Sequence, residues 1–592
     1  MPAPTRVRLH RSILALFLLL VLPLGGAERR EAVVVEGVQN LYLRPDETSP
    51  VDDQAILGER LEVLEDTAGF ARVRTAGGLT AWIPERALRR EAAAPSRPVR
   101  VVSPAAHLYA TPSFTAARPL LTAPLGSVLD ATAEAPSEGH AFLEVRLPDG
   151  RRAFVARQDT EPGAEPAERL DPASWIALGR RFLGAPYTWG GTTPAGFDCS
   201  GLVYRLLASH GVRVRRNSYE QCFREPRLVP VRFADLLPGD LLFFGSEDRI
   251  DHEALWIGDG RVLQASSWGT PSTQVTVFAE SPRLKERFRY ARRLLGLPGA
   301  ARPRFDEEKR AALERRLREL TARDGAGGGA SYGVAFKELE SGRAIALGER
   351  SVMHAASTMK TPILLELLRR ADAGELKLSD ELAVRNEFRS IVDGSPFKLE
   401  LEADTDFVVA EKLGKTATLE LLAREMIARS SNLATNLLLT LVTPEAVQRF
   451  TEELGAPSVK VRRCVEDGKA FEKGLNNETD AAGMAVVMEA CVRSPRLSAA
   501  ARAKAWELLT AQVWNEQIPA GIPAQAGAAV AHKTGWISSV QHDCGIVRLP
   551  DGREYVLVLL ANDFGASDAG RKRVLDVTRR VSRTVWEAMI AP

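Results

Sequence analysis

Three linkers divide this chain and so determine how many separate cores it can build. They lie at residues 90–98, 159–168 and 295–305 and are rich in Pro, Gly, Ala and charged residues, a composition that interrupts helices and strands. A chain of 592 residues is long enough for several domains of ordinary size, so the sequence predicts a multidomain protein. The predicted folded segments are residues 31–92, 98–160, 169–294 and 305–592.

The N-terminus has the order of an export signal. Arg6, Arg8 and Arg11 precede an apolar run at residues 13–24, which small residues and then charged residues follow. This order is typical of a secretory signal peptide, and the run is shorter than the ~20 residues that a membrane-spanning helix needs. We therefore expect a cleaved signal peptide at residues 1–27 and no membrane span after its cleavage. An uncleaved anchor is the alternative.

The overall composition argues against two classes of partner. The 78 basic side chains are balanced by 76 acidic ones, which gives a formal net charge of +2 and no basic field for nucleic acid. The eight His are scattered without pairs at ligand spacing, so neither a metal site nor a cofactor is predicted. Five Cys form an odd and sparse set, which leaves at least one free thiol.

The two N-terminal segments show a repeated strand pattern. Apolar residues alternate around Leu61–Val63 and Ala71–Val73, and Gly77-Gly78 marks a turn. The first segment contains "NLYLRP" and "GLTAWIP", and the second has "AHLYATPS" and "FLEVRLPDGRRAFVAR" in the same relative places. Both segments resemble bacterial SH3-type wall-binding domains, which are small SH3-like β-barrels. Small barrels without affinity for the wall are the alternative.

The third segment carries a cysteine at the start of a predicted helix. Asp198 is a good N-cap, and "CSGLVYRLLASHG" has the pattern of an amphipathic helix that ends at Gly211. The unpaired N–H groups and the positive dipole at a helix N-terminus favour a thiolate at Cys199. A thiolate is the nucleophile that a cysteine peptidase needs.

A base for this cysteine is expected elsewhere in the same segment. His252 begins the first strand of a hairpin whose turn is Asp259-Gly260. Gln264 lies on the second strand, where its side chain could face His252 and orient the ring.

These residues occur in motifs that resemble a known family. "PYTWGG", "FDCSG", "PGDLLFF" and "DHEALWIGDGRVLQAS", in this order, are similar to the NlpC-type peptidases of the bacterial wall. The resemblance implies a papain-like α+β domain that cuts γ-D-glutamyl bonds, with Cys199 as nucleophile and His252 as general base. It also implies that the substrate site is lined by Tyr187, Asp198 and Ser200.

Two positions depart from the usual pattern of that family. Glu253 stands where an apolar residue usually follows the His, and Gln264 stands where a second His is usual. Papain-like enzymes tolerate an amide in the third catalytic role, so Gln264 is included in the predicted catalytic set.

The last segment contains three spaced motifs. They are Ser357-Thr-Met-Lys360, Ser430-Ser431-Asn432 and Lys533-Thr534-Gly535, and a separation of three residues puts Ser357 and Lys360 on one face of a helix. In this order the motifs resemble those of class A β-lactamases and penicillin-binding proteins. The resemblance implies a β-lactamase-like α/β serine hydrolase domain at residues 305–592.

The chemistry of acyl transfer assigns a role to each motif. Ser357 is the expected nucleophile and Lys360 its near base. The other expected roles are a proton relay at Ser430, contacts to substrate from Asn432, Lys533, Thr534 and Gly535, and an oxyanion hole from the N–H groups of Ser357 and Trp536. Class A β-lactamases hold a Glu that activates the deacylating water in a Glu-x-x-Leu-Asn stretch, and this resemblance makes Glu472, which precedes Leu475 and Asn476 at the same spacing, the candidate deacylation base.

The combined expectation is a secreted peptidoglycan hydrolase, periplasmic or associated with the cell wall. Its cysteine domain acts on wall stem peptides, and its serine domain acts on D-amino-acid peptides or β-lactams. Ser431 stands where lactamases usually have Asp, which leaves the reaction of the serine domain open. The alternatives are a β-lactamase fused to a wall-binding region and a non-catalytic wall-binding or penicillin-sensing protein.

Overall fold

The structure is a computed structural model of the whole chain. It describes residues 30–90, 92–115, 118–132, 141–328, 330–404 and 406–592. The predicted signal peptide at residues 1–27 lies outside the described residues. Within the described ranges, no helix combines the length and the apolar character that crossing a membrane requires.

Two seven-stranded sheets form a compact N-terminal unit that runs to Pro162. The strands of the first are β1 (Glu31–Val34), β2 (Val38–Tyr42), β3 (Val51–Ile56), β4 (Arg60–Thr67), β5 (Phe70–Arg74), β6 (Thr80–Pro84) and β7 (Leu88–Arg90). The strands of the second are β8 (Pro98–Val101), β9 (Ala105–Tyr109), β10 (Leu121–Pro124), β11 (Val128–Ala131), β12 (Phe142–Arg146), β13 (Arg152–Ala156) and β14 (Thr160–Pro162).

The two sheets are copies of one topology. The first has the order β3-β2-β6-β5-β4-β1-β7 and the second β10-β9-β13-β12-β11-β8-β14, which is the same order shifted by one set of strands. Alternate residues of each strand face inward, as in β5, where Ala71 and Val73 are buried and their neighbours are not. The repeated strand pattern predicted from the sequence is therefore confirmed.

The domain with Cys199 is built on a six-stranded sheet of order β17-β22-β18-β19-β20-β21. Its elements are α1 (Pro172–Arg180), β15 (Thr192–Thr193), β16 (Gly196–Phe197), α2 (Cys199–Ala208), α3 (Ser218–Arg224), β17 (Leu228–Pro230), β18 (Leu241–Gly245), β19 (Ile250–Gly258), β20 (Arg261–Ser266), β21 (Ser272–Val277), α4 (Pro282–Arg287) and β22 (Phe288–Leu294).

The hairpin that positions the predicted base has the expected turn. β19 and β20 pair antiparallel, and Asp259 and Gly260 between them have φ angles of 49° and 69°. Two positive φ angles define the type I′ turn that matches the twist of a hairpin. The hairpin thus places His252 on β19 opposite the second strand, which carries Gln264.

The C-terminal domain surrounds a five-stranded sheet of order β24-β23-β33-β32-β31. Its elements are α5 (Glu307–Gly328), β23 (Ser331–Glu338), β24 (Ala344–Leu347), β25 (Met353–His354), α6 (Lys360–Asp372), β26 (Glu381–Ala383), β27 (Phe388–Arg389), β28 (Pro396–Phe397), β29 (Thr416–Thr418), α7 (Leu419–Ala428), α8 (Asn432–Val442), α9 (Pro444–Glu453), α10 (Gly468–Glu472), β30 (Glu478–Thr479), α11 (Ala481–Arg493), α12 (Ala499–Thr510), α13 (Ile518–Gly521), β31 (Ala529–Ile537), β32 (Val540–Arg548), β33 (Glu554–Asn562) and α14 (Asp568–Ile590).

Helices cover both faces of this sheet because its central strand is apolar on both sides. In β33, Val558 and Leu560 join a core with α6, α7, α8 and α11, whereas Leu557 and Leu559 join a second core with α5 and α14. Successive side chains of a strand point to opposite faces, so one strand contributes to both cores. The packing of α6 and α8 against the sheet brings the first two serine-site motifs to the third, which lies on β31.

The cysteine and serine domains belong to one compact unit that begins at Gly163. Phe223 of α3 packs on Trp586 of α14, with ring centroids 5.8 Å apart. The Gln525 carbonyl accepts a hydrogen bond from Arg224 at 3.2 Å, and its side-chain oxygen accepts one from the backbone N–H of Ile250 at 2.8 Å. Ile250 begins β19, so the serine domain contacts the strand that carries His252.

Two candidate active sites

Cys199 is the first residue of α2, as the sequence predicts. Asp198 caps the helix by accepting the N–H of Gly201 at 2.6 Å. A Cβ at Gly201 would lie 1.9 Å from the carbonyl oxygen of Gly191, so only glycine allows this loop to approach the helix so closely. The backbone of Glu253 lies close enough to the cysteine sulfur to lower its pKa, so β19 packs against the start of α2.

The thiol is less acidic than its position at a helix N-terminus predicts. Burial raises the pKa of Cys199, and the acidic groups of Asp198 and Glu253 raise it further. The expected stabilisation of a resting thiolate is therefore wrong for the free protein, because desolvation of the sulfur outweighs the helix dipole. The thiol has to transfer its proton to a base during the reaction.

The structure brings His252 and Gln264 together. Nε2 of His252 lies 2.7 Å from Oε1 of Gln264, and the amide nitrogen of Gln264 donates to the hydroxyl of Thr276 at 2.9 Å. An amide oxygen only accepts, so His252 carries its proton on Nε2 and keeps a free lone pair on Nδ1. Burial lowers the pKa of His252 to about 4, so the ring is neutral at pH 7 and able to accept a proton.

Glu253 is an unusual neighbour for such a site. It is 0% exposed, and within the described ranges neither of its carboxyl oxygens has a hydrogen-bond partner. Burial raises its pKa well above the ordinary value, which favours the neutral acid. The departure noted in the sequence therefore places a protonated carboxyl group beside the nucleophile.

Asp198 and Ser200 lie together around a buried arginine that the sequence did not single out. Arg216 is 1% exposed; it donates to both carboxylate oxygens of Asp198 at 3.1 and 2.8 Å and to the Ser200 hydroxyl at 2.8 Å. Tyr187 is half-buried, and burial, followed by the nearby Cys199, raises its pKa. All three residues predicted to line the substrate site thus lie around the cysteine. Only the run of basic residues after α2 could have indicated Arg216.

Ser357 lies half-buried in the turn before α6. The preceding residue, Ala356, has a φ angle of 45°, a conformation that is unfavourable for a residue with a Cβ and is often found at functional sites. A Cβ at Gly535 would lie 2.9 Å from the Ser357 nitrogen. The glycine of the third motif is therefore needed for β31 to pass beside the nucleophile.

Lys360 is fully buried among the residues of the second motif. Its ammonium group donates to the Ser430 carbonyl at 2.5 Å, to the Ser430 hydroxyl at 3.0 Å and to Oδ1 of Asn432 at 2.9 Å. Burial lowers the pKa of Lys360 to about 7, against the opposing effect of Asp404 and Glu466. A substantial fraction of Lys360 is therefore uncharged near neutral pH and able to accept a proton.

Lys533 reaches the same serine hydroxyl from the other side. It is 0% exposed, and its ammonium group donates to Ser430 Oγ at 3.1 Å. Burial, and then the charge of Lys360, lowers its pKa well below the ordinary value. The neighbouring Thr534 hydroxyl is buried and has no hydrogen-bond partner within the described ranges, while Trp536 packs edge-on against Trp514 at 5.2 Å.

Glu466 is one of two carboxylates whose charge acts on Lys360. Its Oε1 accepts a hydrogen bond from the Asn432 amide at 3.2 Å, and its φ angle is 64°. Glu472, which the spacing indicates as the deacylation base, lies exposed at the end of α10. The structure thus brings Glu466, and not Glu472, to the serine site.

The loop that contains Glu472 is anchored by Asn477, which follows the asparagine that the spacing matches. The carbonyl of Asn477 accepts the N–H of Ala355 at 2.9 Å, and its amide donates to the Arg463 carbonyl at 3.0 Å. Asn476, the residue matched by spacing, instead accepts a hydrogen bond from the side chain of Arg463. Asn477, and not the asparagine matched by spacing, therefore ties this loop to the segment before Ser357.

Asp404 is a further residue that sequence reasoning missed. It is 6% exposed and accepts the backbone N–H groups of Asn432 and Leu433 at 3.1 and 3.0 Å. An acid at this position stabilises the N-terminus of α8, and its charge also raises the pKa of Lys360. It lies in a stretch between short strands that carries no recognisable motif.

All five cysteines are free thiols. Cys222, Cys491 and Cys544 are buried, as core packing predicts, and Cys464 is partly exposed.

Comparisons with known families divide the chain in the same order as the motifs. Residues 41–88 match the bacterial dipeptidyl-peptidase Sh3 domain, residues 184–287 the NlpC/P60 family and residues 312–589 the beta-lactamase enzyme family. The predicted order of the three kinds of domain is thereby confirmed.

Individual relatives match the same regions. A γ-D-glutamyl-L-lysine dipeptidyl-peptidase from Bacillus cereus is 30% identical over 241 residues, which cover 36% of this chain and 67% of the relative. The murein DD-endopeptidase MepH of Escherichia coli is 35% identical over 118 residues, or 19% of this chain and 43% of the relative. The solved structure of PBP-A is 27% identical in sequence, with a TM-score of 0.40. The match covers 47% of this chain and 95% of the PBP-A chain.

The matches agree with the mixed α and β content of the fold. The cysteine domain has the NlpC/P60 motifs on a papain-like α+β fold, and the serine domain carries its three motifs in a β-lactamase-like arrangement. The chain therefore belongs to the NlpC/P60 family and is a hydrolase, in which SH3-type domains precede the cysteine peptidase domain and a β-lactamase-family domain follows it.

Proposed function

We propose that this protein is an exported peptidoglycan hydrolase whose cysteine domain cuts γ-D-glutamyl bonds in wall stem peptides. The observation that carries the proposal is the hydrogen-bonded row of Thr276, Gln264 and His252 beside a cysteine at a helix N-terminus. It holds a neutral imidazole in the tautomer that can accept a proton. The names of the Bacillus cereus and Escherichia coli relatives support a stem peptide as the substrate.

The proposed reaction begins with proton transfer from the Cys199 thiol to Nδ1 of His252. The thiolate attacks the γ-carbonyl carbon of the glutamyl residue, and the imidazolium then donates its proton to the leaving amine as the C–N bond breaks. Water hydrolyses the thioester and regenerates the thiol. Gln264 keeps the ring oriented through both proton transfers, because Nε2–H remains bonded to its oxygen.

Two further features support action at the wall. The N-terminal residues have the pattern of an export signal, and the repeated SH3-type domains would hold the protein on its polymeric substrate. Binding in this way raises the local concentration of the catalytic domain at the stem peptides.

A second acyl-enzyme activity at Ser357 is favoured by the buried lysine cluster. Lys360 and Lys533 both donate to the Ser430 hydroxyl, so that hydroxyl is placed to pass a proton between Ser357 and a leaving group. The substrate class is a D-amino-acid peptide or a β-lactam. A β-lactam is the simplest probe because acylation leaves a covalent label on Ser357.

The wild-type protein, Cys199→Ala and Ser357→Ala should be incubated with defined stem peptides, and the products identified by mass spectrometry. We expect a γ-D-glutamyl cut in the wild type and in Ser357→Ala, and no cut in Cys199→Ala. Intact stem peptides after incubation with the wild type would contradict the peptidase proposal.

The serine activity is tested separately with a labelled penicillin on a gel. A label that disappears in Ser357→Ala supports acylation, and loss of the label with time in the wild type supports hydrolysis. Absence of both labelling and stem-peptide cleavage would favour a wall-binding protein without catalysis.

A further inference from the structure

A tryptophan connects His252 to two arginines at the edge of the cysteine site. The Trp268 ring lies 4.5 Å from the His252 ring, measured between centroids. Two guanidinium groups lie over Trp268. That of Arg283 is 4.1 Å from the ring centroid, and that of Arg287 is 5.2 Å from it. Both positive charges lower the pKa of His252, so their field extends to the imidazole.

The two arginines differ in their own partners. Arg287 donates to both carboxylate oxygens of Asp251 at 2.6 and 2.8 Å, and this pair neutralises its charge. Arg283 is exposed and forms no ion pair with a carboxylate in the described part of the chain. Stacking on Trp268 holds its guanidinium in place, so a fixed positive charge is available beside the site.

The chemistry of the reaction tells which part of a substrate meets this charge. The general acid protonates the leaving amine, so His252 must lie on the leaving side of the bond that is cut. Trp268 packs on His252, and Arg283 packs on Trp268. A residue that follows the glutamyl group and extends toward Trp268 would meet an apolar ring that has a cation on it.

We propose that Arg283 selects stem peptides whose residue after the glutamyl group carries a free side-chain carboxylate. This inference rests on the proposed function of the cysteine domain. A diamino diacid such as diaminopimelate places its methylenes on Trp268 and its distal carboxylate on the planar guanidinium, which accepts it with two parallel hydrogen bonds. A lysine at the same position presents an ammonium group, which Arg283 repels.

The test uses three tetrapeptides, L-Ala-γ-D-Glu-X-D-Ala. X is diaminopimelate, diaminopimelate with its distal carboxylate converted to an amide, or L-lysine. The glutamyl α-carboxylate is the same in all three, and the α-carboxyl of X is in a peptide bond, so only the distal group differs. The wild-type protein is compared with Arg283→Gln, Arg283→Lys and Arg261→Gln, an exposed arginine at the tip of the β19–β20 hairpin that serves as the matched control.

We expect kcat/KM of the wild type to be about 2- to 5-fold higher for the free diacid than for its amide, the range of an exposed ion pair. Arg283→Gln should reduce cleavage of the free diacid to the level of the amide and leave the amide unchanged. Arg283→Lys should retain part of the preference, and Arg261→Gln all of it.

Three results would overturn the inference, and they are distinguishable. Equal cleavage of the diacid and its amide by the wild type excludes recognition of the carboxylate. An equal loss on all three peptides in Arg283→Gln shows that Arg283 acts on Trp268 and His252 rather than on substrate. Cleavage of none of the three by the wild type overturns the proposed function, and the inference with it.

Discussion

The cysteine site and the serine site both bury their base, but burial leaves the two bases with different charge. In the cysteine site, burial raises the pKa of the Cys199 nucleophile and lowers that of the His252 base, so both partners are neutral at rest. In the serine site, burial acts on the base, because Lys360 has a pKa of about 7. One physical cause, the desolvation of charge, thus leaves the cysteine-site base neutral at pH 7 and the serine-site base only partly so.

The supporting residues follow the same division. Neutral side chains, Gln264 and Thr276, orient the cysteine-site base. Carboxylates, Asp404 and Glu466, moderate the pKa of the serine-site lysine. The neutral His252 is thus oriented by hydrogen bonds, whereas the partly charged Lys360 is also stabilised by nearby carboxylates. Substitutions in each site should therefore fail in different ways.

The largest expected effect tests whether Lys360 is the base of the serine site. Lys360→Met should slow acylation of Ser357 by a labelled penicillin about 1000-fold, because it removes the expected base, whose pKa is about 7. The rate at which the Cys199 site cleaves stem peptides should stay at the wild-type value. Lys377→Met, which changes an exposed lysine just beyond α6, is the control. An acylation rate in Lys360→Met equal to that of the wild type would show that Lys360 is not the base.

The next largest effect concerns orientation of the neutral base. Gln264→Leu leaves the buried Nε2–H of His252 without an acceptor, a loss of about 10- to 100-fold in kcat/KM for stem peptides. Gln264→His supplies a ring nitrogen as acceptor and should recover most of the activity. Steady-state cleavage of one defined peptide by the three proteins decides the matter, and an unchanged rate in Gln264→Leu would show that Gln264 does not orient the ring.

A moderate effect on stability is expected from the protonated carboxyl group at Glu253. Its pKa is raised in the folded protein, so the folded state keeps a proton that the unfolded chain releases above pH 4.5, the ordinary value. The free energy of unfolding should therefore fall as pH rises above that value, by at most about 1.4 kcal/mol per pH unit.

Glu253→Gln removes this titration while keeping the shape of the side chain. The difference in melting temperature between the variant and the wild type should therefore be larger at pH 8 than at pH 5. An equal difference at both pH values would mean that Glu253 does not carry a proton in the folded protein.

The smallest effect is a shift in a pH profile. Since deprotonated Lys360 is the reactive form, acylation of Ser357 should rise with pH, with its midpoint near the pKa of about 7. Glu466→Gln removes a negative charge that raises this pKa, so the midpoint should move to lower pH by less than about one unit. Glu472→Gln should leave the midpoint unchanged, and a shift in that variant instead would restore the assignment made from spacing.

Much of the local structure could be predicted because short-range chemistry decides it. The cap at Asp198, the helix after Cys199 and the turn at Asp259-Gly260 depend on backbone hydrogen bonds and φ angles of neighbouring residues. Periodicity also predicted the repeated barrels, and motif order predicted the three kinds of domain. The helical spacing of Ser357 and Lys360 required nothing beyond the geometry of one turn.

The residues that sequence reasoning missed are those whose role depends on distant segments. Arg216 is separated from Asp198 by a whole helix, and Thr276 acts only through Gln264 on the neighbouring strand. Glu466 matches no spacing rule, and it meets Asn432 only because two separate segments pack together. None of these contacts is encoded in a motif, since each forms only when separate elements pack.

The sequence by itself determined the kinds of domain, their order and the identity of both candidate nucleophiles, because nucleophile, cap and motif lie within one or two turns of chain. Only the tertiary structure decided the protonation of Cys199, His252 and Lys360. A pKa depends on how completely water is excluded and on which charges lie nearby. Both are set by the packing of residues that are far apart in the chain.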